Sequence, residues 1–277
     1  MAEDHASGHD VPGLHRLKDR YKQVSMLDEH CRAVISDLTA ALAATMGAVP
    51  DGRQTGYRIA EHQTPARASA GQSERRLEAR VFCRWKCGNG MQPVRGLWDC
   101  LVAYQIPLFD RQAKAGWGYI DLLGYASATQ TPIIVELKDA GSPETPLRAM
   151  LEGVAYAIAV RKLWTDIGRS IHSAFPDLPV KALTETDEVG VVVLAPEAYW
   201  LQWTERSNEP EYRLRRRYIQ AAGAAFAELV ESLRAAGYPI AFGELALSNG
   251  MTVEDARVIG DFPPGKTVPK GREHHSA

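Results

Sequence analysis

The chain of 277 residues is longer than most single domains, but it is compatible with one main fold that carries additional segments. Its 45% hydrophobic and 24% charged residues are ordinary for a folded globular protein, which excludes a wholly disordered or fibrous chain. The 32 basic and 34 acidic residues leave a net charge of −2, so any contact with nucleic acid or an anionic membrane must be local.

The beginning of the chain lacks the features of a targeting signal. Residues 1–20 are polar and contain no apolar core of the kind found in signal peptides. No run in the chain approaches the roughly 18 apolar residues of a membrane span. We therefore expect a cytoplasmic protein that does not bind membranes, with a disordered tail over residues 1–20.

Apolar spacing and turn signals predict the elements of the first half. Residues 21–48 have apolar positions at helical spacing, which predicts an N-terminal helical segment of one or two helices. Residues 49–72 contain glycine and proline without a sustained period, which predicts a long loop. Ser73 precedes acidic and helix-forming residues, so a second helix is expected over 73–87.

The middle of the chain alternates between strands and helices. Strand-forming residues predict strands at 99–108, near 118 and near 134, and a continuous apolar run predicts a buried strand over 189–196. Residues 144–164 predict one strong helix, because proline is tolerated in a first helical turn.

The last part of the chain is expected to be mainly helical. Residues 211–238 have apolar residues close to one helical stripe, and the sequence PIAFGELAL that follows predicts an edge strand. We therefore predict a helical extension over 201–257 that packs on the core. Residues 258–277 are rich in proline and polar residues, which predicts a disordered tail.

Three of the four cysteines are close in sequence. Cys83 and Cys87 have C-x3-C spacing, and Cys100 follows. They could ligate zinc or an iron–sulfur cluster, but tight metal pairs usually have C-x2-C spacing and no second pair follows. The alternative, which we favour, is that they are small buried apolar residues in a reducing compartment.

Charged residues interrupt two apolar strands in the segment GWGYIDLLGYASATQTPIIVELKDA. Because side chains alternate along a strand, a hairpin that pairs Ala126 with Thr131 places Asp121 opposite Glu136, with Lys138 on the same face. The opposite parity of register would send Asp121 to the other face.

Two carboxylates that face each other across a strand pair repel, and a divalent cation removes that repulsion. Carboxylate oxygens suit Mg²⁺, which also binds substrate phosphate oxygens. Lys138 would then hold or help to deprotonate a metal-bound water and offset charge on a phosphate. The pattern predicts hydrolysis of a phosphodiester.

These residues resemble the PD-(D/E)XK nuclease superfamily, with Asp121 on one strand and Glu136-Leu137-Lys138 on the next. The resemblance implies an α/β fold with a restriction-endonuclease-like αβββαβ core over 73–200, a mixed sheet, and DNA cleavage that depends on Mg²⁺ or Mn²⁺. It also implies that Glu78, or alternatively Glu74, completes a metal site with Asp121, Glu136 and the backbone carbonyl of Leu137. The proline that often precedes the aspartate is replaced here by Ile120.

The resemblance also implies supporting residues and a DNA partner, and RNA is left open. On the helix after the second strand, polar residues would support the site: Arg148, Glu152 and Tyr156. Basic residues that could contact phosphates lie before Asp121 and in the C-terminal helix: Arg111, Lys114, Arg213, Arg216 and Arg217. Ordinary surface charge is the alternative for each of them. A homodimer is compatible with cleavage of both strands.

Three alternatives to a nuclease stand beside this interpretation. The charged residues could form a structural ion-pair cluster in which Lys138 neutralises a carboxylate. The fold could instead be catalytically inactive and serve as a nucleic-acid-binding or protein-assembly module. In an unrelated α/β enzyme, the three charged side chains would not cluster.

Overall fold

The computed structural model describes residues 13–17, 24–53, 55–57, 59, 73–90, 92–109, 117–184, 186–204, 209–248 and 252–259. The α-helices in these residues are α1 (Leu14–Leu17), α2 (Leu27–Ser36), α3 (Leu38–Ala48), α4 (Ser73–Trp85), α5 (Pro146–Ala174), α6 (Glu197–Trp200), α7 (Arg213–Ala221) and α8 (Gly223–Ala235). The strands are β1 (Cys100–Pro107), β2 (Tyr119–Ala126), β3 (Thr131–Leu137), β4 (Gly190–Pro196), β5 (Ile240–Ser248) and β6 (Thr252–Val258).

The strands form one mixed six-stranded sheet in the order β1-β2-β3-β4-β5-β6. The pairs β1–β2, β2–β3 and β5–β6 are antiparallel, whereas β3–β4 and β4–β5 are parallel. Parallel neighbours require crossover connections, which α5 and the helices α6 to α8 provide. The strand β4 is buried along its whole length, as its continuous apolar run predicts. The expected α/β class and mixed sheet are confirmed.

Helices cover both faces of this sheet. The helix α5 packs against β3 and β4, and α1 and α3 pack against α5. Residues of this layer join the inward-facing Leu123 and Ile134 in one apolar cluster. On the other face, α4 packs against β1, β2 and β6, and its apolar residues cluster with Leu122 and Val135. Neighbouring strand residues belong to different clusters because successive side chains of a strand point to opposite faces of the sheet.

The helices before the sheet agree with the prediction in type and differ in detail. The N-terminal helical segment is broken at Asp37, which separates α2 from α3. The predicted helix over 73–87 corresponds to α4. Where residues 49–59 are described they form neither helix nor strand, and the rest of the predicted loop lies outside the described residues.

The helix α5 is longer than the predicted range of 144–164. The Thr145 hydroxyl accepts a hydrogen bond from the Arg148 N–H at 3.1 Å, which caps the helix at the predicted start, with Pro146 in the first turn. Beyond residue 164, Ile167 and Ile171 remain fully buried, so the apolar face continues. The helix ends at residue 174 because Pro176 follows, and the residue before a proline disfavours helical geometry.

The prediction for the C-terminal part is wrong in two respects. The single helix over 211–238 is divided into α7 and α8 at Ala222, and Leu214 of the predicted apolar stripe is 57% exposed. The extension over 201–257 is not mainly helical, because its second half forms β5 and β6 of the central sheet. PIAFGELAL is therefore an inner strand, and β6 forms the edge.

A disulfide joins Cys87 to Cys100, with their Cα atoms 5.0 Å apart. It connects the end of α4 to the start of β1, where the Cys87 N–H also donates to the Leu101 carbonyl at 2.9 Å. Both expectations for these cysteines are therefore wrong: Cys87 and Cys100 bind each other, and Cys83 is an exposed free thiol. Cys31 is free and buried.

None of the helices in the described part of the chain is both long enough and apolar enough to cross a membrane. The predicted disordered tails lie almost entirely outside the described residues, apart from 13–17 at one end and 258–259 at the other. Leu14 of the first tail is buried in α1, so the expectation of disorder is wrong for that part of it.

Candidate active site

The hairpin of β2 and β3 has the register that was predicted from its turn. Ala126 pairs with Thr131 and Leu122 pairs with Val135, so the next position along the ladder places Asp121 opposite Glu136. One oxygen of the Asp121 carboxylate accepts a hydrogen bond from the Leu137 N–H at 2.9 Å. The opposite parity of register is excluded.

Lys138 follows directly after β3 and is held by carboxylates. Its Nζ lies 2.7 Å from Glu136 Oε1, 3.2 Å from Glu144 Oε2 and 3.5 Å from Glu74 Oε1. The side chains of Lys138 and Glu136 are almost completely buried, with 6% and 4% of their surface exposed. The predicted cluster of Asp121, Glu136 and Lys138 is therefore present at one end of the hairpin.

The helix α4 brings two further carboxylates to this point. Leu77, Val81 and other apolar residues hold one face of α4 on the sheet. Glu78 is 2% exposed and accepts a hydrogen bond from the Gln105 side-chain amide of β1 at 2.5 Å. Glu74 lies one turn earlier and contacts Lys138, so both acidic candidates on this helix belong to the cluster.

The beginning of α5 closes another side of the cluster. Arg148 forms an ion pair with Glu144, which in turn contacts Lys138. The Tyr156 hydroxyl accepts a hydrogen bond from the Gly118 N–H at 3.1 Å and lies 3.5 Å from Glu152. The three polar residues predicted to support the site therefore lie beside it.

A cleft of about 410 Å³ opens at this cluster. Its walls come from α4, β1, the start of β2 and α5: Glu74, Arg75, Glu78, Gln105, Trp117, Gly118, Tyr119, Asp121, Arg148, Glu152 and Tyr156. The cleft therefore gives a substrate access to Asp121 and Glu78, which lie close to the buried Lys138–Glu136 pair.

Burial and repulsion between carboxylates shift the pKa values in this site. Burial and the nearby Glu78 raise the pKa of Asp121 well above its ordinary value, although Lys138 and the Leu137 N–H oppose the shift. Burial and the nearby Asp121 likewise raise the pKa of Glu136. Burial raises the pKa of Glu78 to about 7 despite the hydrogen bond from Gln105. The cluster therefore contains more buried carboxyl groups than its basic residues can neutralise.

The carboxylates raise the pKa of the Lys138 ammonium well above its ordinary value, although burial alone lowers it. Glu136 and Asp121 make the largest contributions to this increase. Lys138 is therefore positively charged at neutral pH, and its ammonium is a hydrogen-bond donor.

The carboxylates of this cluster fit a hard divalent cation in their chemistry. Carboxylate oxygens are the ligands that Mg²⁺ and Mn²⁺ prefer, and neighbouring buried carboxylates gain from a shared cation. Among the described residues, however, no three acidic, histidine or cysteine side chains are already arranged around one ion position. Instead, Glu136 contacts Lys138, Asp121 contacts the Leu137 N–H, and Glu78 contacts Gln105. Binding of a cation by Glu136 therefore requires the contact between Glu136 and Lys138 to rearrange.

The predicted phosphate-binding residues are only partly described. Arg111 and Lys114 lie outside the described residues. Arg213, Arg216 and Arg217 lie on α7, and Arg216 donates to the Glu209 carbonyl at 3.2 Å.

Their neighbour Arg215 connects α7 to the site. It donates to Gln202, whose amide in turn donates to the Ala140 carbonyl at 3.2 Å, in the loop after Lys138. Hydrogen bonds therefore connect the helix α7 to the loop that follows β3.

Comparison of the chain with protein-family models, with curated proteins and with solved structures finds no match.

Sequence reasoning missed two residues of the cluster, Gln105 and Glu144. Glu144 lies six residues after Lys138, in the loop before α5, and its proximity to the buried amine was a usable signal. Gln105 gave no such signal, because its place beside Glu78 depends on the register of β1 and on its backbone conformation.

Proposed function

We propose that this protein is a Mg²⁺- or Mn²⁺-dependent nuclease that hydrolyses phosphodiester bonds of DNA. The observation that carries the proposal is the convergence of Asp121, Glu136 and Lys138 at the end of the β2–β3 hairpin, beside an open cleft. Structural ion pairs explain one carboxylate beside one amine, but they do not explain the additional carboxylates buried around them.

The order of elements supports a restriction-endonuclease-like core. The chain runs α4-β1-β2-β3-α5-β4, with antiparallel pairing up to β3 and parallel pairing between β3 and β4. This is the αβββαβ order that the resemblance to PD-(D/E)XK nucleases implies.

Asp121, Glu136 and Glu78 would hold the cation, together with the Leu137 carbonyl. In a strand, the N–H and carbonyl of one residue point toward the same neighbouring strand, and the Leu137 N–H points toward Asp121. A bound cation would polarise the scissile phosphate and lower the pKa of an attacking water.

Lys138 acts in this scheme as a fixed positive charge. Because its pKa is raised, the ammonium donates hydrogen bonds and does not accept a proton from water. With Glu136 engaged by a cation, the Lys138 ammonium would be able to donate to a phosphate oxygen and offset the negative charge that develops in the transition state. Arg148 forms an ion pair with Glu144 and so keeps the Glu144 carboxylate beside the Lys138 ammonium.

DNA would approach along the cleft and α7. The helix α7 supplies positive charge from Arg213, Arg216 and Arg217. Arg215 of the same helix is linked through Gln202 to the loop after Lys138. Arg111 and Lys114 precede β2 and are proposed to contact the same phosphate backbone.

A cleavage assay tests the proposal directly. Supercoiled plasmid and single-stranded DNA are incubated with the wild-type protein and Mg²⁺ or Mn²⁺, and with Asp121→Asn and Lys138→Met. We expect cation-dependent cleavage by the wild type and a loss of at least about a hundredfold in each variant. Lys181→Met is the matched control, because Lys181 pairs with a carboxylate at the same 2.7 Å distance on the surface.

One observation favours a catalytically silent binding module as the second candidate. Glu136, Asp121 and Glu78 each have a hydrogen-bond partner within the protein, so each carboxylate is oriented without a cation. A silent module would bind DNA in an electrophoretic mobility shift assay with or without divalent cations and would not cleave it. Cleavage that persists in Asp121→Asn would contradict the nuclease proposal.

A further inference from the structure

Gln105 has an unusual backbone conformation for a residue inside a strand. Its φ is +48°, in the left-handed region that side chains other than glycine rarely adopt. In the described part of the chain, the other non-glycine residue with positive φ is Gln130, in the turn between β2 and β3. A tight turn explains Gln130, but Gln105 lies within β1, where no turn requires it.

The left-handed backbone changes the direction of the Gln105 side chain. Successive side chains of a strand normally point to opposite faces. Here both Tyr104 and Gln105 contact α4. The centroids of the Tyr104 and Phe82 rings lie 5.0 Å apart, and the Gln105 amide donates a hydrogen bond to Glu78 at 2.5 Å. The backbone distortion thus brings an amide to a carboxylate that a regular strand would not reach.

The position of Gln105 in the sheet connects Glu78 to the rest of the site. Tyr104 pairs with Leu122 and Ile106 pairs with Ile120, so Gln105 lies across from Asp121 in the ladder. Glu78 is 2% exposed and has little access to water, so its orientation depends on partners within the protein. The Gln105 amide engages Oε2 of Glu78, and Glu78 is one of the residues that line the cleft.

We infer that Gln105 is a positioning residue that orients the Glu78 carboxylate toward the cation shared with Asp121 and Glu136. The inference rests on the proposed function, because it assigns Gln105 a role in the same site. Strained backbone is typical of sites whose geometry is fixed in advance, and polar groups that orient metal ligands are worth about 10- to 100-fold in metal affinity.

Replacement with glycine separates a positioning role from a structural one. Glycine adopts positive φ without strain, so Gln105→Gly removes the amide and relieves the backbone at once. We expect its melting temperature to stay close to that of the wild type, because relief of the backbone strain offsets the lost hydrogen bond to Glu78, while its Mn²⁺ affinity, measured by calorimetric titration, falls about 10- to 100-fold. At saturating Mn²⁺ the KM for DNA is expected to stay unchanged.

Gln130→Gly is the matched control, because its φ of +53° offers the same relief of backbone strain outside the cluster. It is expected to bind Mn²⁺ as the wild type does. Wild-type Mn²⁺ affinity in Gln105→Gly, or a lowered melting temperature with unchanged affinity, overturns the positioning role and leaves the proposed function intact. Absence of Mn²⁺ binding and of DNA cleavage in the wild type itself overturns both.

Discussion

Replacing Lys138 with methionine removes the one amine that three carboxylates share and keeps most of the side-chain volume. At the 2.7 Å separation from Glu136, the attraction is about 6 kcal/mol for an effective dielectric constant of about 20. Much of that attraction is offset by the desolvation of both charges. What the substitution leaves behind is a buried and uncompensated carboxylate, which typically costs about 3–5 kcal/mol.

This loss is measured by urea denaturation at pH 8 with a chelator present. We expect the free energy of unfolding of Lys138→Met to fall by about 3–5 kcal/mol, which corresponds to a decrease of roughly 6–20 °C in melting temperature. Because the freed Glu136 carboxylate is one of the proposed cation ligands, adding Mn²⁺ in place of the chelator is expected to restore part of the loss.

Lys181→Met supplies the scale for this measurement. Lys181 lies 2.7 Å from Asp187, but the two side chains are 39% and 23% exposed, and exposed pairs are worth about 0–1 kcal/mol. If the free energy of unfolding of Lys138→Met is no lower than that of Lys181→Met, the Lys138 amine does not hold the carboxylates together. That result would contradict the role assigned to Lys138 in the site.

Three further predictions concern stability. Without divalent cations, the free energy of unfolding should fall as pH rises from 4.5 to about 7, because folding raises the pKa of Glu78 and the folded state binds its proton more tightly; Glu78 should contribute roughly 3 kcal/mol of this fall. Glu78→Gln should reduce the fall by about that amount, while Asp121 and Glu136 continue to contribute, and an unchanged slope would contradict the prediction. Reducing the Cys87–Cys100 disulfide, which spans 13 residues, should lower the free energy of unfolding measured in urea by about 3 kcal/mol. Equal midpoints of the urea unfolding transition with and without reductant would contradict this prediction. Gly153→Ala should destabilise by about 1–3 kcal/mol, because the added methyl lies 2.6 Å from a methyl of β4, whereas Gly47→Ala, with open space around it, should be neutral or stabilising in the same thermal melts.

The hairpin that carries the site was predictable because a short turn determines its register. Once Ala126 pairs with Thr131, the period of the strand decides which side chains share a face, and Asp121 and Glu136 follow without further information. The apolar residues behind them, such as Val135, confirm the parity because they cluster with α4.

Other parts of the site depend on contacts between elements that are distant in sequence. The place of Gln105 depends on a bulge between Leu101 and Ala103, which shifts the register of β1, and on its own left-handed backbone. Neither feature has a local sequence signal. The disulfide likewise requires the end of α4 to lie beside β1, which the spacing of Cys87 and Cys100 alone does not indicate.

The edge strand β6 was missed for a different reason. Its sequence, Thr252–Val258, exposes most of its residues and buries Val253 and Ala256, so it lacks a continuous apolar face. Polar edge strands are common because they prevent pairing with other chains. The helical pattern before β5 therefore dominated the interpretation of the C-terminal part.

The most direct test of the account is a crystal structure of the wild-type protein grown with Mn²⁺ and examined by anomalous scattering. We predict an anomalous peak bounded by the carboxylates of Asp121, Glu136 and Glu78, with the Lys138 ammonium moved away from Glu136. If no peak lies among these side chains while Lys138 keeps its contact with Glu136, the cluster is a structural ion-pair network and the nuclease proposal is contradicted.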